Sequence, residues 1–324
     1  MKKKIYRLNW DSGVLDKITN WLRCRELSQE FIYFWNGSKN YLNYVSNSFL
    51  KWGTINEKSI DLNPWENILK KYSNWKDIIK NIYIWVACGD SKREIEFIKS
   101  LWKNNILYIW VDLSSEMIER SEYNLDKENF DYVLIQADIF NSDLLNQINL
   151  ITKESDIKSF IFLWWTFWNF RTTNITDLLG AYMKKWEKLY IDIPVKWELS
   201  EDDFKLHEYY LDKSKKSEKW LKYINSWFIY IDFPLDKWDI VIQTSKDAQV
   251  GLFWIYHLLR LKENIEFLLN NKVVIFSKWE EINFFSITYY ESEKLINFMK
   301  IHHFNLFDKD LDNWVLGQFI FEKQ

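Results

Sequence analysis

The chain has 324 residues, a formal charge of −3 and a pI near 5.9, which leaves no basic footprint for nucleic acid or anionic lipid. Its 2 cysteines, Cys24 and Cys88, supply neither a disulfide framework nor a paired metal motif. The start, MKKKIYRLNW, has no apolar run behind its lysines, and no stretch of about 18 apolar residues follows, so a cytoplasmic protein with no membrane and no nucleic-acid partner is expected, with a monomer favoured.

The length accommodates one large domain with an insertion. Residues 14 to 80 carry helical spacing in VLDKITNWLRCRELSQEFIYF and ENILKKYSNWKDIIKNI, predicting an N-terminal helical region over 1–79. Next, five short β-type runs, at 82–86, 107–113, 132–139, 159–163 and 188–194, alternate with helical segments. That rhythm predicts an α/β fold with a doubly wound, mostly parallel Rossmann-like sheet. After Pro194 it breaks into lysine-rich loops, candidate strands FIYIDF and DIVIQTS, and a helix near 250–270, read as an inserted α+β subdomain over 197–285. A helix in YESEKLINFMKIHHF and two closing strands over 286–324 return the chain to the 80–196 sheet.

The composition carries a second message. There are 20 Trp against 7 Gly, and together they make up about 8% of the chain, an ordinary glycine content. Trp102, Trp186 and Trp238 stand where a helix should end before a strand, a slot that favours a left-handed glycine. Lys outnumbers Arg 36 to 7, as in an AT-rich genome. These features predict that many of the tryptophans are glycines in the natural protein, from a genome that decodes UGA as glycine. The alternative is a Trp-rich binding module that stacks indoles on sugars or bases.

In an open parallel sheet the ligand lies at the carboxyl ends of the strands, near the switch in strand order. The first such end reads WVACGDSKRE, where Gly89 opens a turn toward a helix N-terminus, with Trp85, Asp90 and Lys92 beside it. Asp112, in VDLSSEM, lies 23 residues beyond Gly89, close to the spacing at which a carboxylate accepts from ribose hydroxyls. Asp112 could instead belong to the helix cap, although Ser114 or Ser115 can serve there. Asp138, in QADIF, is a candidate acceptor for an adenine amino group or a solvated turn aspartate. His207, His257, His302 and His303 have no metal spacing, and Tyr209 and Tyr210 read first as packing residues.

Together, IYIWVACGDSK, LYIWVDLSSEMIERS, LIQADIF and IFLWWTFWNF resemble class I S-adenosylmethionine-dependent methyltransferases, and in particular the histidine-specific N-alpha-methyltransferases of ergothioneine biosynthesis. That family has a segment of the form FLGGTIGN after its fourth strand, and IFLWWTFWNF becomes IFLGGTFGNF when Trp164, Trp165 and Trp168 are read as glycine. The NGS at 36–38 resembles the family's Gly-Ser element. The resemblance implies S-adenosylmethionine as cofactor, with Trp85, Gly89, Asp90 and Lys92 at its loop, Asp112 and Ser114 at the ribose, and Asp138 with Ile139 at adenine. It also implies a small amine or amino-acid substrate, with Trp164, Trp165, Thr166 and the catalytic Asn169 around it. The family's imidazole-gripping Glu-x-Ser is here Ser286-Ile287-Thr288, without the glutamate, and its paired-tyrosine segment is replaced by SNSFLKW. Histidine is therefore one candidate among small amines. The rival readings are an NAD-dependent oxidoreductase, which would want G-x-G-x-x-G, and a non-catalytic methyltransferase-like binding protein.

Overall fold

The apolar runs between residues 81 and 194 form parallel strands buried on both faces, which is why they read as near-continuous hydrophobic segments. In the computed structural model the described residues are 3–8, 14–25, 37–40, 81–101, 106–153, 156–162, 166–170, 172–195, 205, 218–226, 228, 231, 233, 235–247, 252–312 and 316–324. They divide into two compact units, one of residues 1–9, 53–196 and 290–324, the other of residues 10–52 and 197–289.

The first unit is built on strands β1 (Lys4–Arg7), β2 (Asn81–Val86), β3 (Ile106–Asp112), β4 (Val133–Gln136), β5 (Ile157–Phe162) and β6 (Lys188–Pro194), closed by β12 (Phe304–Asp312) and β13 (Leu316–Lys323). Their order is β1-β4-β3-β2-β5-β6-β13-β12, parallel from β1 to β6, with β13 antiparallel to both β6 and β12. The chain steps outward from β2 to β4 and then returns to β5, so the switch point falls between β2 and β5.

Helices α2 (Lys92–Leu101), α3 (Ser115–Lys127), α4 (Ser142–Ile151), α5 (Thr172–Tyr182) and α7 (Ser292–Ile301) belong to this unit. On one sheet face Tyr83, Trp85, Tyr108, Trp110 and Tyr190 form a core with Ile95 and Ile98 of α2 and Ile118 and Leu125 of α3. Trp85 and Trp110 are register partners on adjacent strands, 2% and 0% exposed. A buried ion pair, Lys158 Nζ to Glu187 Oε1 at 3.2 Å, joins the starts of β5 and β6. Gly317 is required by close approach, since a Cβ there would stand 2.5 Å from Val195 Cγ2 and 2.6 Å from Phe319 Cε2.

The second unit contains α1 (Val14–Arg23), α6 (Glu218–Ile224) and strands β7 (Trp238–Asp247), β8 (Leu252–Leu261), β9 (Ile265–Leu269), β10 (Lys272–Phe276) and β11 (Glu281–Tyr290), whose last residue is counted with the first unit. Strands β11-β8-β7 make a sheet and β9-β10 a ribbon. Arg25, just past α1, donates to both carboxylate oxygens of Glu280 at 3.0 Å, and its carbonyl accepts from Asn283 N.

Three expectations are corrected. The segment expected as a helix near 250–270 forms β8 and β9: Ile255, His257, Leu259 and Leu261 are buried at alternate positions while β8 pairs along its whole length with β7. Of FIYIDF, expected as a strand, Phe228 is helical and Ile231 lies in a turn. Phe233 N donates to Phe228 O at 2.9 Å, folding the segment back so that the two rings meet at 5.2 Å. The N-terminal KIYR, included in the expected helical region over 1–79, is β1, paired in parallel with β4. Of the expected helical region over 1–79, residues 41–80 lie outside the described residues, as does most of the 197–217 stretch.

Candidate functional site

The candidate site is assembled at the tips of β2, β3 and β4. After β2 the chain turns through Ala87, Gly89 and Ser91, all left-handed at φ +52°, +57° and +59°, before α2 begins. The alternation keeps the turn short and aims its backbone in several directions. Helix α3 fixes it from below: Ser91 Oγ donates to Ser121 Oγ at 2.7 Å, Ser121 Oγ to the Gly89 carbonyl at 2.8 Å, and Asn124 Nδ2 to the Asp90 carbonyl at 2.8 Å.

Asp112 ends β3 beside this turn. Its Oδ2 accepts from Gly89 N at 3.0 Å and its Oδ1 from Ser114 N at 2.9 Å. Burial pushes its carboxyl up to about 6, against the opposing pull of the Ser114, Gly89 and Leu113 backbone N–H groups. An ionised carboxylate offers about four acceptor positions, so hydrogen-bonding capacity remains for a vicinal diol. Ser114 is the N-cap of α3, its Oγ accepting from Met117 N at 3.3 Å, so both readings weighed for the VDLSS stretch are occupied, the cap by Ser114 and the strand tip by Asp112.

One strand further, Ala137 N donates to the Asp112 carbonyl at 2.9 Å, which brings Asp138 and Ile139 alongside. Asp138 Oδ1 accepts from Phe140 N at 2.9 Å, an Asx-type turn that orients the carboxylate. Ile139 is buried, and Phe140 meets Phe170 edge-on at 5.9 Å. Beyond β5, Thr166–Asn169 form a 3-10 turn; Phe167 and Phe170 pack on Phe162 at 5.6 and 6.2 Å.

Of the sequence candidates, Gly89, Asp112 and Ser114 form one hydrogen-bonded set, with Asp138 and Ile139 next to it. Asp90 and Lys92 pair with each other at 3.2 Å and line a shallow groove with Glu116, Arg120 and Asn124 of α3. The Trp85 side chain lies in the core. Thr166 is buried; Trp164 and Trp165 lie outside the described residues, and of Asn169 only the backbone, last in its turn, is described. Ser286 and Thr288 lie on β11 in the second unit, Thr288 being 3% exposed. Among the described residues no group of His, Cys, Asp or Glu is arranged to hold a metal ion, and no helix is long and apolar enough to cross a membrane.

Residue reading missed Ser121 and Asn124, whose signal is two polar side chains at i, i+3 spacing on a helix that otherwise buries apolar residues toward the sheet. It also missed Tyr290, whose buried hydroxyl shares a 2.7 Å hydrogen bond with Thr172 Oγ1 at the start of α5.

A buried carboxylate at the tip of β3, a tight left-handed turn at the tip of β2 and an oriented aspartate at the tip of β4 fit a nucleoside with a free diol. The family described as "Histidine-specific methyltransferase, SAM-dependent" matches residues 66–312. Among solved structures, the chain is similar to an S-adenosylmethionine-dependent methyltransferase from Clostridium acetobutylicum, with 16% identity, 86% of this chain and 99% of that one covered, and a TM-score of 0.43. It is also similar to the glycopeptide N-methyltransferase MtfA in complex with S-adenosylmethionine, with 10% identity, 80% and 94% covered and a TM-score of 0.38. A third is the 1,6-didemethyltoxoflavin-N1-methyltransferase of Burkholderia thailandensis, with 8% identity, 87% and 86% covered and a TM-score of 0.42. No curated protein matches the chain. The turn after β2 carries one glycine and no G-x-G-x-x-G, and the family match removes the nicotinamide reading. Since that match takes in well over half of the chain, the protein belongs to the histidine-specific, S-adenosylmethionine-dependent methyltransferases, and S-adenosylmethionine is its cofactor.

Proposed function

We propose that the protein methylates the amine nitrogen of a small amine or amino acid, with the α-amine of histidine as the first candidate. The observation that carries this reading is the span of the family match, which covers residues 66–312 and so includes the inserted 197–289 stretch as well as the cofactor half. We read that inserted stretch as the substrate-side element.

S-adenosylmethionine supplies a methyl group already activated on a sulfonium. The protein's work is therefore alignment and exclusion of water. Asp112 holds the ribose diol, Asp138 and Ile139 the adenine edge, and the Gly89 turn approaches as backbone. The aromatic set Phe162, Phe167 and Phe170 forms an apolar wall beside the Thr166–Asn169 turn. Asn169 orients the acceptor amine so that its lone pair faces the methyl. An α-amine with a pKa near 8 is about one-tenth neutral at pH 7, so positioning of that neutral fraction substitutes for a dedicated base.

The test is a methyl-transfer assay with labelled S-adenosylmethionine against a panel of amino acids and small amines. Transfer to histidine or another free α-amine is expected. Tight cofactor binding with no transfer to any amine would establish the non-catalytic binding protein instead.

A further inference from the structure

We infer that Trp186 and Trp279, and with them the tryptophans of the cofactor and acceptor segments, are glycines in the protein as its own cell makes it. The two lie in turns of one construction. Glu187 N donates to Lys184 O and Glu280 N to Ser277 O, each at 3.1 Å, so each tryptophan is the third residue of a hydrogen-bonded β-turn. In both turns the closing glutamate carboxylate accepts from the first residue's N–H, Lys184 N at 2.8 Å and Ser277 N at 2.6 Å. In both, the tryptophan N–H donates to a neighbouring strand, to Lys323 O and to Leu261 O at 2.9 Å.

The backbone values decide between residues. Trp186 has φ +75° and Trp279 φ +73°, with Lys185 and Lys278 before them at negative φ. This is the type II turn, whose third position sits near +80° and calls for Gly. The other non-glycine residues at positive φ, among them three asparagines, run from +49° to +66°, about the range that L-residues tolerate. A bulky side chain beyond that range is an outlier, and here it gains nothing. Both indoles are exposed, at 57% and 64%, touched by the preceding lysine at 4.8 and 4.7 Å. The same Lys-Trp-Glu sequence recurs at 196–198, outside the described residues.

Trp110 supports the same conclusion from inside the sheet: it is 0% exposed and its Nε1 has no hydrogen-bond partner among the described residues, which a buried indole ordinarily finds. Decoding UGA as glycine accounts for these positions and for the glycine deficit together. The consequence for ligand binding rests on the proposed site: glycine at 164, 165 and 168 makes the segment GGTFGNF, bare backbone where the acceptor approaches, while glycine at 85 removes an indole from the core beside the turn after β2.

Tandem mass spectrometry of peptides spanning 184–188, 277–281 and 161–170 from the source cells reads the decoding directly. Glycine is expected at 164, 165, 168, 186 and 279, and tryptophan at 186 or 279 overturns the inference. Two recombinant chains, one as written and one with glycine at 85, 110, 164, 165, 168, 186 and 279, are then titrated calorimetrically with S-adenosylmethionine. Binding by the glycine form, at least tenfold tighter than by the tryptophan form, is expected. Glycine in the peptides without binding by the glycine form leaves the decoding intact and sinks the proposed site. Equal binding by both forms overturns the consequence for the cleft. Should the sevenfold variant not fold, the pair Trp186→Gly/Trp279→Gly against Trp186→Ala/Trp279→Ala decides. Only the glycine pair should raise the melting temperature, and no difference between the pairs counts against the turn geometry.

Discussion

Asp112→Asn separates the cost of holding a carboxylate in the protein from its use. Burial raises that group from 3.8 to about 6, a gap worth about 3 kcal/mol. Because the folded-state value lies above the unfolded one, its contribution to stability is complete below about pH 4 and is lost as the pH rises through about 6. In the proposed ribose role the ionised form is the one that accepts from the diol. At pH 5 about a tenth of the free protein carries it, so the Kd for S-adenosylmethionine should rise about tenfold between pH 7 and pH 5. Asparagine removes the charge-assisted hydrogen bonds, each worth about 1.5–3 kcal/mol, so Asp112→Asn should bind about ten- to a hundredfold more weakly at pH 7. It should also show no trend from pH 7 to 5. Isothermal titration at several pH values, on the natural protein or its glycine form, provides the measurement. A flat profile for the parent protein, or the same slope in Asp112→Asn, would refute the assignment of Asp112 to the ribose.

Ser121→Ala removes the hydroxyl that joins Ser91 to the Gly89 carbonyl. It should cost about 1–3 kcal/mol in urea unfolding and weaken cofactor binding with it, since the turn loses its tether. Gly317→Ala drives a methyl into Val195 and Phe319; a loss of about 1–3 kcal/mol is expected, read from the denaturation midpoint. Lys158→Met leaves Glu187 buried without its cation and should cost about 3–5 kcal/mol, whereas Lys158→Met/Glu187→Met should recover most of it in the same melt.

The parallel sheet was legible because strands covered on both faces must be almost wholly apolar, and IYIWV, LYIWV and SFIFL, with Ser159 its one polar residue, are. That Gly89 and Asp112 come together was legible from their spacing, since the turn after β2 and the end of β3 meet at the same edge of the sheet. What escaped depends on partners distant in sequence. KIYR is four residues with a charge at each end, and only pairing with β4 makes it a strand. GLFWIYHLLRL is apolar at nearly every position, so its period is ambiguous until β7 lies beside it. The hold of α3 on the turn after β2 joins residues 30 to 34 apart, beyond any local motif. Trp186 was read correctly as a left-handed slot, with φ +75°. Trp238, read the same way, is the first residue of β7 and is absent from the positive-φ set; Trp102 lies outside the described residues.

Strand β1 carries a practical consequence. Its neighbour β4 is Val133–Gln136, four residues all buried, so without Lys4–Arg7 a short greasy backbone ladder would lie open to any passing chain. The lysine and arginine at the ends of β1 make it a poor template for further additions. Trimming the first eight residues should therefore convert a well-behaved protein into one that self-associates in proportion to its concentration.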